Sequence, residues 1–234
     1  MITNRDILRL RRFYGYVASD QNRSILRFAS GKRILELGCG YGTLLRDADH
    51  AGKEVIGLDI DSAMLNTGKS LYPSLGPKIV QGDMGHLPFK DKSFHTIIFR
   101  ESLHHAPWEN VLSEALRVCK KEIIIFEPNP NWIVRACRRI ISHQDQEIPL
   151  EPLLARLKKH DILIKGLCFR DFFAFPLSGG FVGREFVPPI RILFPLLLGV
   201  DRMLQALFSV IRIGKRISWR YLVRGILSEE GDQE

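Results

Sequence analysis

A short apolar run that ends in glycines at alternate positions limits the folds open to this chain more than any other feature. Arg33-Ile34-Leu35-Glu36-Leu37 reads as a strand, Gly38-Cys39-Gly40-Tyr41-Gly42 follows at once, and Thr43-Leu44-Leu45 opens a helical pattern. Glycine turns the chain sharply without steric cost and lets a ligand lie against bare backbone, while the next helix brings free N–H groups to the same point. A strand, a glycine turn and a helix in that order belong to βα units, and so to a parallel sheet covered by helices.

The alternation continues along the chain. Glu54–Asp59 reads as a second strand, and a helix capped by Asp61 or Ser62 runs to about residue 71. Residues 78–81 form a short third strand, 94–99 a fourth, 109–119 a helix, and 122–126 a fifth strand with almost no polar interruption. Strands this apolar are those of a sheet buried on both faces. After Pro128 the pattern loosens: 131–142 and 151–159 read as helices and 161–173 as a long strand. Residues 174–190 read as a loop rich in Pro and Gly, 190–213 as apolar with helical stretches, and 217–223 as a last strand. Upstream, residues 4–29 read as one or two amphipathic helices, with Ile7, Leu8, Tyr14, Ile25, Leu26 and Phe28 on the apolar face. The expected organisation is an N-terminal helical cap over 1–30 and a ligand-binding core over 31–130. Residues 131–227 complete the same α/β domain with a substrate-side lid, and 228–234 form a disordered acidic tail.

Composition narrows the class. With 45% hydrophobic and 26% charged residues, the 234-residue chain has the make-up of a globular α/β domain with a core of its own. Cys39, Cys119, Cys137 and Cys168 form no CxxC pair and read as reduced thiols of a cytoplasmic protein. His50, His86, His143 and His160 are too scattered for a metal site, and the first twenty residues are too charged for a signal peptide. The stretch 190–213 is broken by Arg191, Pro195, Asp201, Arg202, Gln205 and Arg212, which favours a core or lid helix over a membrane span.

The net charge of +8 is unevenly placed. Residues 1–33 carry eight Lys/Arg against two acids, 184–224 carry eight against two, and 34–183 balance at 18 to 18. Such asymmetry speaks of partners. Phe181, Phe186, Ile190, Ile192, Leu193, Phe194, Leu196, Leu197 and Leu198 stand beside the C-terminal cations, a mixture suited to peripheral contact with an anionic membrane. Aromatic residues are not interleaved with the cations as a stacking surface for nucleic acid requires.

The motifs themselves are more specific. Glu36-Leu37-Gly38-Cys39-Gly40-Tyr41-Gly42 has GxGxG spacing, unlike the GxGxxG of dinucleotide-binding turns. Asp59 ends the second strand, where a carboxylate can accept from both hydroxyls of an adenosine ribose. Gly82-Asp83-Met84 follows the third strand, and Leu87-Pro88-Phe89 leads into Ser93-Phe94-His95-Thr96-Ile97-Ile98-Phe99. Leu103-His104-His105 and Glu114-Ala115-Leu116-Arg117-Val118 follow in turn. At these residues the chain closely resembles class I S-adenosylmethionine (SAM)-dependent methyltransferases of the broad group that includes ubiquinone-pathway and sterol enzymes. The likeness covers residues 31–128.

That resemblance implies a Rossmann-like, mainly parallel seven-stranded sheet with helices on both faces and its last strand antiparallel. SAM is the implied cofactor, held at the carboxyl ends of the first strands. Gly38 and Gly40 would pass under its methionine portion, Asp59 would take the ribose, and Asp83 and Met84 the adenine. Arg100 would lie near the sulfonium, and Glu36 and Ile60 complete the implied cofactor set. His104 and His105 are the candidates for a general base, which methyl transfer does not always need, because SAM carries an activated methyl group and alignment supplies much of the rate. Two departures stand out: His95 replaces the family's Asp, and Cys119-Lys120-Lys121 replaces a Pro-Gly turn. Glu127-Pro128-Asn129-Pro130-Asn131 resembles the NPPY signature of base-amino methyltransferases, but it follows the fifth strand where that signature follows the fourth. The expected activity is methyl transfer to a small, apolar, lipid-like or quinone-like acceptor. The alternatives are SAM binding without turnover, or a macromolecular acceptor.

Overall fold

In a computed structural model, residues 10–140, 146–180 and 185–228 are described. Ile7, Leu8, His143, Phe181, Arg184 and the acids of the tail after Ser228 lie outside them. The strands are β1 (Ile34–Leu37), β2 (Val55–Asp59), β3 (Ile79–Gln81), β4 (Phe94–Arg100), β5 (Cys119–Pro128), β6 (Ile162–Arg170) and β7 (Arg220–Leu227). They form one sheet in the order β3-β2-β1-β4-β5-β7-β6. Strands β1 to β5 pair in parallel, and β7 runs antiparallel to both β5 and β6.

The described helices are α1 (Phe13–Phe28), α2 (Thr43–His50), α3 (Ser62–Leu71), α4 (Trp108–Val118), α5 (Trp132–Ile140), α6 (Leu150–Lys159), α7 (Ala174–Leu177), α8 (Leu193–Val210) and α9 (Gly214–Ile217). Alternate residues of the central strands face opposite layers, as the pleat requires. Ile123 and Ile125 of β5 join the core made with α4 and α6, around Leu112, Ala115, Leu153 and Leu157. Ile124 and Phe126 join the opposite core with α1, α2 and α3, around Ile25, Leu44, Leu45 and Leu65.

The N-terminal cap is divided between two cores. The C-terminal half of α1 packs under the sheet through Ile25 and Leu26, whereas Phe13 and Val17 form a third cluster with Ala174, Phe175, Phe194 and Leu198. Between these halves α1 buries three polar residues, each with a distant partner: Asp20 with Arg170, Gln21 with Asp171, and Asn22 with Asp47. They bind α1 to both halves of the fold.

The cap of α3 is Asp61, which accepts from the N–H groups of Ala63 and Met64 at 2.8 and 3.0 Å. The last strand begins at Arg220, three residues later than its apolar run suggests, because Gly214–Ile217 closes a helical turn. Asn129 then pins Ser218 by donating to its Oγ at 2.9 Å. Within the segment read as a loop, residues 174–177 make the turn α7. Asp201 of α8 caps it, accepting from the N–H groups of Phe172, Phe173 and Ala174. A capping residue so far along the chain leaves no local signal.

Candidate active site

Strand order reverses between β1 and β4, and at such a point an open α/β sheet parts its loops into a crevice. Here the crevice is a cavity of about 570 Å³, within the range of roughly 300–1,000 Å³ typical of small-molecule sites. Its walls are the glycine turn, the ends of β2 and β4, residues 82–84, and one side of α1.

The turn is held by backbone bonds. Gly38 and Cys39 donate their N–H groups to the Leu58 carbonyl at 2.8 and 3.0 Å. Gly38 has φ +75°, and a Cβ built on it would fall 2.3 Å from the Ser102 Cβ. Ser102 reciprocates by donating its hydroxyl to the Leu37 carbonyl at 2.6 Å. Gly38 is therefore bare because the loop after β4 packs on it. Gly40, at φ +52°, is different: a Cβ there would meet only the tip of Met64, at 3.2 Å, on the cavity wall.

Asp59 clamps this arrangement, its Oδ2 accepting from the Gly40 N–H at 2.7 Å and its Oδ1 from the Asp61 N–H at 2.9 Å. Each carboxylate oxygen keeps a second lone pair for a ligand in the cavity it lines. Asp83 lies on the rim, more than half exposed, and accepts from the Gly85 N–H at 2.8 Å. That bond and the nearby His86 hold its carboxyl below the usual value. Ile60 and Met84 also line the cavity.

Glu36 and Arg100 form a unit. Glu36 is fully buried and lies behind the lining, accepting from the Arg100 Nε at 3.1 Å. Burial pushes its carboxyl up to about 7 against the pull of Arg100. Arg100 reaches the cavity and also donates to the Thr43 hydroxyl at 3.1 Å.

The two histidines part company. His105 is exposed and lines the cavity, whereas His104 is buried outside the lining with its Nδ1 2.5 Å from Glu127 Oε2. Their rings lie 4.1 Å apart. Glu127, wholly buried at the end of β5, also accepts from the N–H groups of Ser102 and Leu103, and so fixes the whole loop after β4. Sequence reasoning missed Glu127, since one acid in an apolar strand gives no hint of its partners. It also missed Tyr14 and Ala18 of α1, with Leu10 just before it, as cavity residues. The Asn129 of the NPPY-like segment points elsewhere, into the contacts with Ser218 and Lys215.

Residues 35–126 match a family model described as a methyltransferase domain. The match runs from β1 into β5. The fatty-acid O-methyltransferase of Mycolicibacterium smegmatis is 37% identical over 143 residues, covering 57% of this chain and 49% of that protein. The demethylmenaquinone methyltransferase of Beutenbergia cavernae is 36% identical over 106 residues, 44% of this chain and 43% of that protein. The chain thus matches about half the length of these curated relatives. A SAM-dependent methyltransferase from Archaeoglobus fulgidus shares the fold over 96% of this chain and all of its own, with TM-score 0.66 at 18% identity. The chain has the seven-stranded, Rossmann-like sheet with helices on both faces that the sequence led us to expect.

Proposed function

We propose that the protein transfers a methyl group from SAM to a small apolar or amphiphilic acceptor, of lipid or quinone type, and that it is a cytoplasmic protein meeting this acceptor at an anionic membrane surface. The observation that carries the reading is the convergence of Gly40, Asp59, Asp83, Met84 and Arg100, distant in sequence, on the one cavity at the switch point. The residues suit the cofactor: a bare glycine with space beside it, a carboxylate with free lone pairs, and a rim acid next to a methionine.

SAM, when bound, supplies an activated methyl group on a sulfonium. Asp59 would take the ribose hydroxyls, and Asp83 with Met84 the adenine. Arg100 is better matched to the α-carboxylate of the methionine portion than to the sulfonium, since a guanidinium attracts the first and repels the second. Tyr14, Ala18 and Leu10 close the cavity on the acceptor side, and Ala106 adds to its apolar wall. Exclusion of water and alignment of the two reactants are what such a site contributes. Of the histidines, His105, which lines the cavity, would be the one to accept a proton from an acceptor, with His104 and Glu127 positioning the loop that bears it.

The names of the relatives, a fatty-acid and a demethylmenaquinone methyltransferase, support an apolar acceptor. The test is incubation of the protein with methyl-labelled SAM and a lipid extract, followed by sorting of label into lipid, small polar and macromolecular fractions. Label is expected in the lipid fraction. Label confined to macromolecules, or none despite saturable binding of SAM, would refute the reading.

A further inference from the structure

The outer face of α8 is the largest feature that the cavity leaves unexplained. Ile192, Leu196, Val200, Met203, Leu207 and Val210 recur every three or four residues from just before the helix to its end, and each is between 45% and 80% exposed. At 3.6 residues per turn they form one stripe about 27 Å long. The opposite face is buried through Phe194, Leu198 and Asp201.

Both ends of the stripe are cationic. At the N-terminal end a cavity of about 440 Å³ is lined by Arg11, Arg12, Arg46 and Arg191. Arg12 pairs with Glu185 at 2.7 Å and Arg46 with Asp47 at 2.6 Å, while Arg11 and Arg191 have no ion pair among the described residues. At the C-terminal end a cavity of about 530 Å³ is lined by Arg212, Arg216 and Lys215, the last paired with Glu151 of the same lining, beside Trp132, which is 70% exposed. Other cations of the two basic segments are spent internally: Arg202 on Asp20, Arg220 on Glu101 and Asp171, and Arg224 on Glu122. Exposed cations thus stand at both ends of the apolar stripe, Arg11 and Arg191 at one and Arg212 and Arg216 at the other, in addition to Arg27, Lys32 and Arg33 at and beyond the far end of α1.

From this arrangement we infer that α8 lies flat in the interface of an anionic phospholipid bilayer, its stripe among the acyl chains and its two basic ends on lipid phosphates. The inference deepens the lipid-acceptor reading, rests on it for its purpose, and names the docking face. Apolar burial and attraction of cations to anionic lipid add in such a contact, and an exposed Trp suits the headgroup level. By length and mean hydropathy of 1.5, α8 would also suffice to cross a membrane. It is tethered, however, because Asp201 caps α7 through three N–H groups and Arg202 pairs with Asp20. Pairing with a second copy would set cationic ends against cationic ends in either orientation, which like-charge repulsion opposes. The face also adjoins the active site: Phe194 packs on Phe13 and Tyr16 of α1, the helix whose Tyr14 and Ala18 line the methyltransferase cavity.

Sedimentation of the full chain with phosphatidylcholine vesicles, with and without phosphatidylglycerol, tests the inference. Binding should require phosphatidylglycerol and fall as salt is raised. The pair Arg11→Gln and Arg191→Gln should weaken partitioning about 25-fold, at roughly 1 kcal/mol or fivefold for each cation near the surface. Leu196→Gln with Leu207→Gln should weaken it at least tenfold by removing two of the six apolar side chains of the stripe, at roughly 1.5–3 kcal/mol for each buried side chain. Both double variants should show the same thermal stabilisation by S-adenosylhomocysteine as the parent, which would show them folded. Equal binding to neutral vesicles, no binding, or indifference to both variants would overturn the inference, as would a stripe-dependent dimer in analytical ultracentrifugation. Lack of any response to S-adenosylhomocysteine would instead refute the cofactor reading while leaving the vesicle result to stand.

Discussion

Replacing Gly38 with alanine should destabilise the protein before it affects any ligand, by an amount set by two costs. At φ +75° an L-residue incurs roughly 1–2 kcal/mol for the left-handed conformation. The added Cβ would also stand 2.3 Å from the Ser102 Cβ, a contact that forces backbone movement. Ser102 cannot withdraw cheaply, because its hydroxyl donates to Leu37 and its N–H to the buried Glu127. Overpacking of that kind costs about 1–3 kcal/mol, which brings the sum to roughly 2–5 kcal/mol. For a domain of this size the melting midpoint should fall by roughly 4–20 °C. Gly40→Ala is the control in the same turn: φ is +52° and the Cβ meets only the flexible end of Met64 at 3.2 Å. It should lose only about 1–2 kcal/mol of stability and act chiefly on cofactor affinity. Thermal and urea denaturation without ligand, followed by titration with S-adenosylhomocysteine, would separate the two effects. If Gly38→Ala were as stable as Gly40→Ala, the close packing of the β4 loop on Gly38 would be refuted.

Asp59→Ala should weaken S-adenosylhomocysteine binding in calorimetric titration by about 10- to 100-fold, the worth of one or two charge-assisted hydrogen bonds of roughly 1.5–3 kcal/mol; unchanged affinity would remove Asp59 from the site. Glu127→Ala should cost about 3–5 kcal/mol in urea denaturation, because it strands buried His104 and two backbone donors, and a loss under 1 kcal/mol would contradict that geometry. Glu36→Gln should alter the pH dependence of stability. The Glu36 carboxyl is raised from 4.5 to about 7 in the folded chain, so its contribution is full below pH 4.5 and is lost as pH rises toward 7. Relative to Glu36→Gln, the parent should therefore lose stability over that interval, and parallel melting curves from pH 4.5 to 7 would refute the shift.

The sequence by itself determined the βα alternation, the glycine turn at the switch point of the sheet and the likeness to methyltransferases from β1 into β5. Each of these depends on local patterns: apolar runs bounded by glycine, a carboxylate at a strand end, and a cap such as Asp61. The same patterns placed β1, β2 and β4 to within a residue, since a strand buried on both faces has little freedom in composition, whereas β5, read over 122–126, runs over Cys119–Pro128. Local pattern failed where a residue's partner is distant. Glu127 fixes His104, Asp201 caps α7, and Asn129 sets where β7 begins, yet none of these pairings leaves a periodic trace. Tertiary structure also decided which histidine reaches the cavity, because His104 and His105 are adjacent in sequence and the Glu127 contact holds the first of them away from the cavity. Charge behaved likewise. The sequence located +6 in each end segment, but only folding consumed Arg202, Arg220 and Arg224 in internal pairs and left Arg11, Arg191, Arg212 and Arg216 at the ends of an exposed apolar helix. A cation's solvent field depends on whether a carboxylate lies within a few ångströms, and that distance is a property of the folded chain.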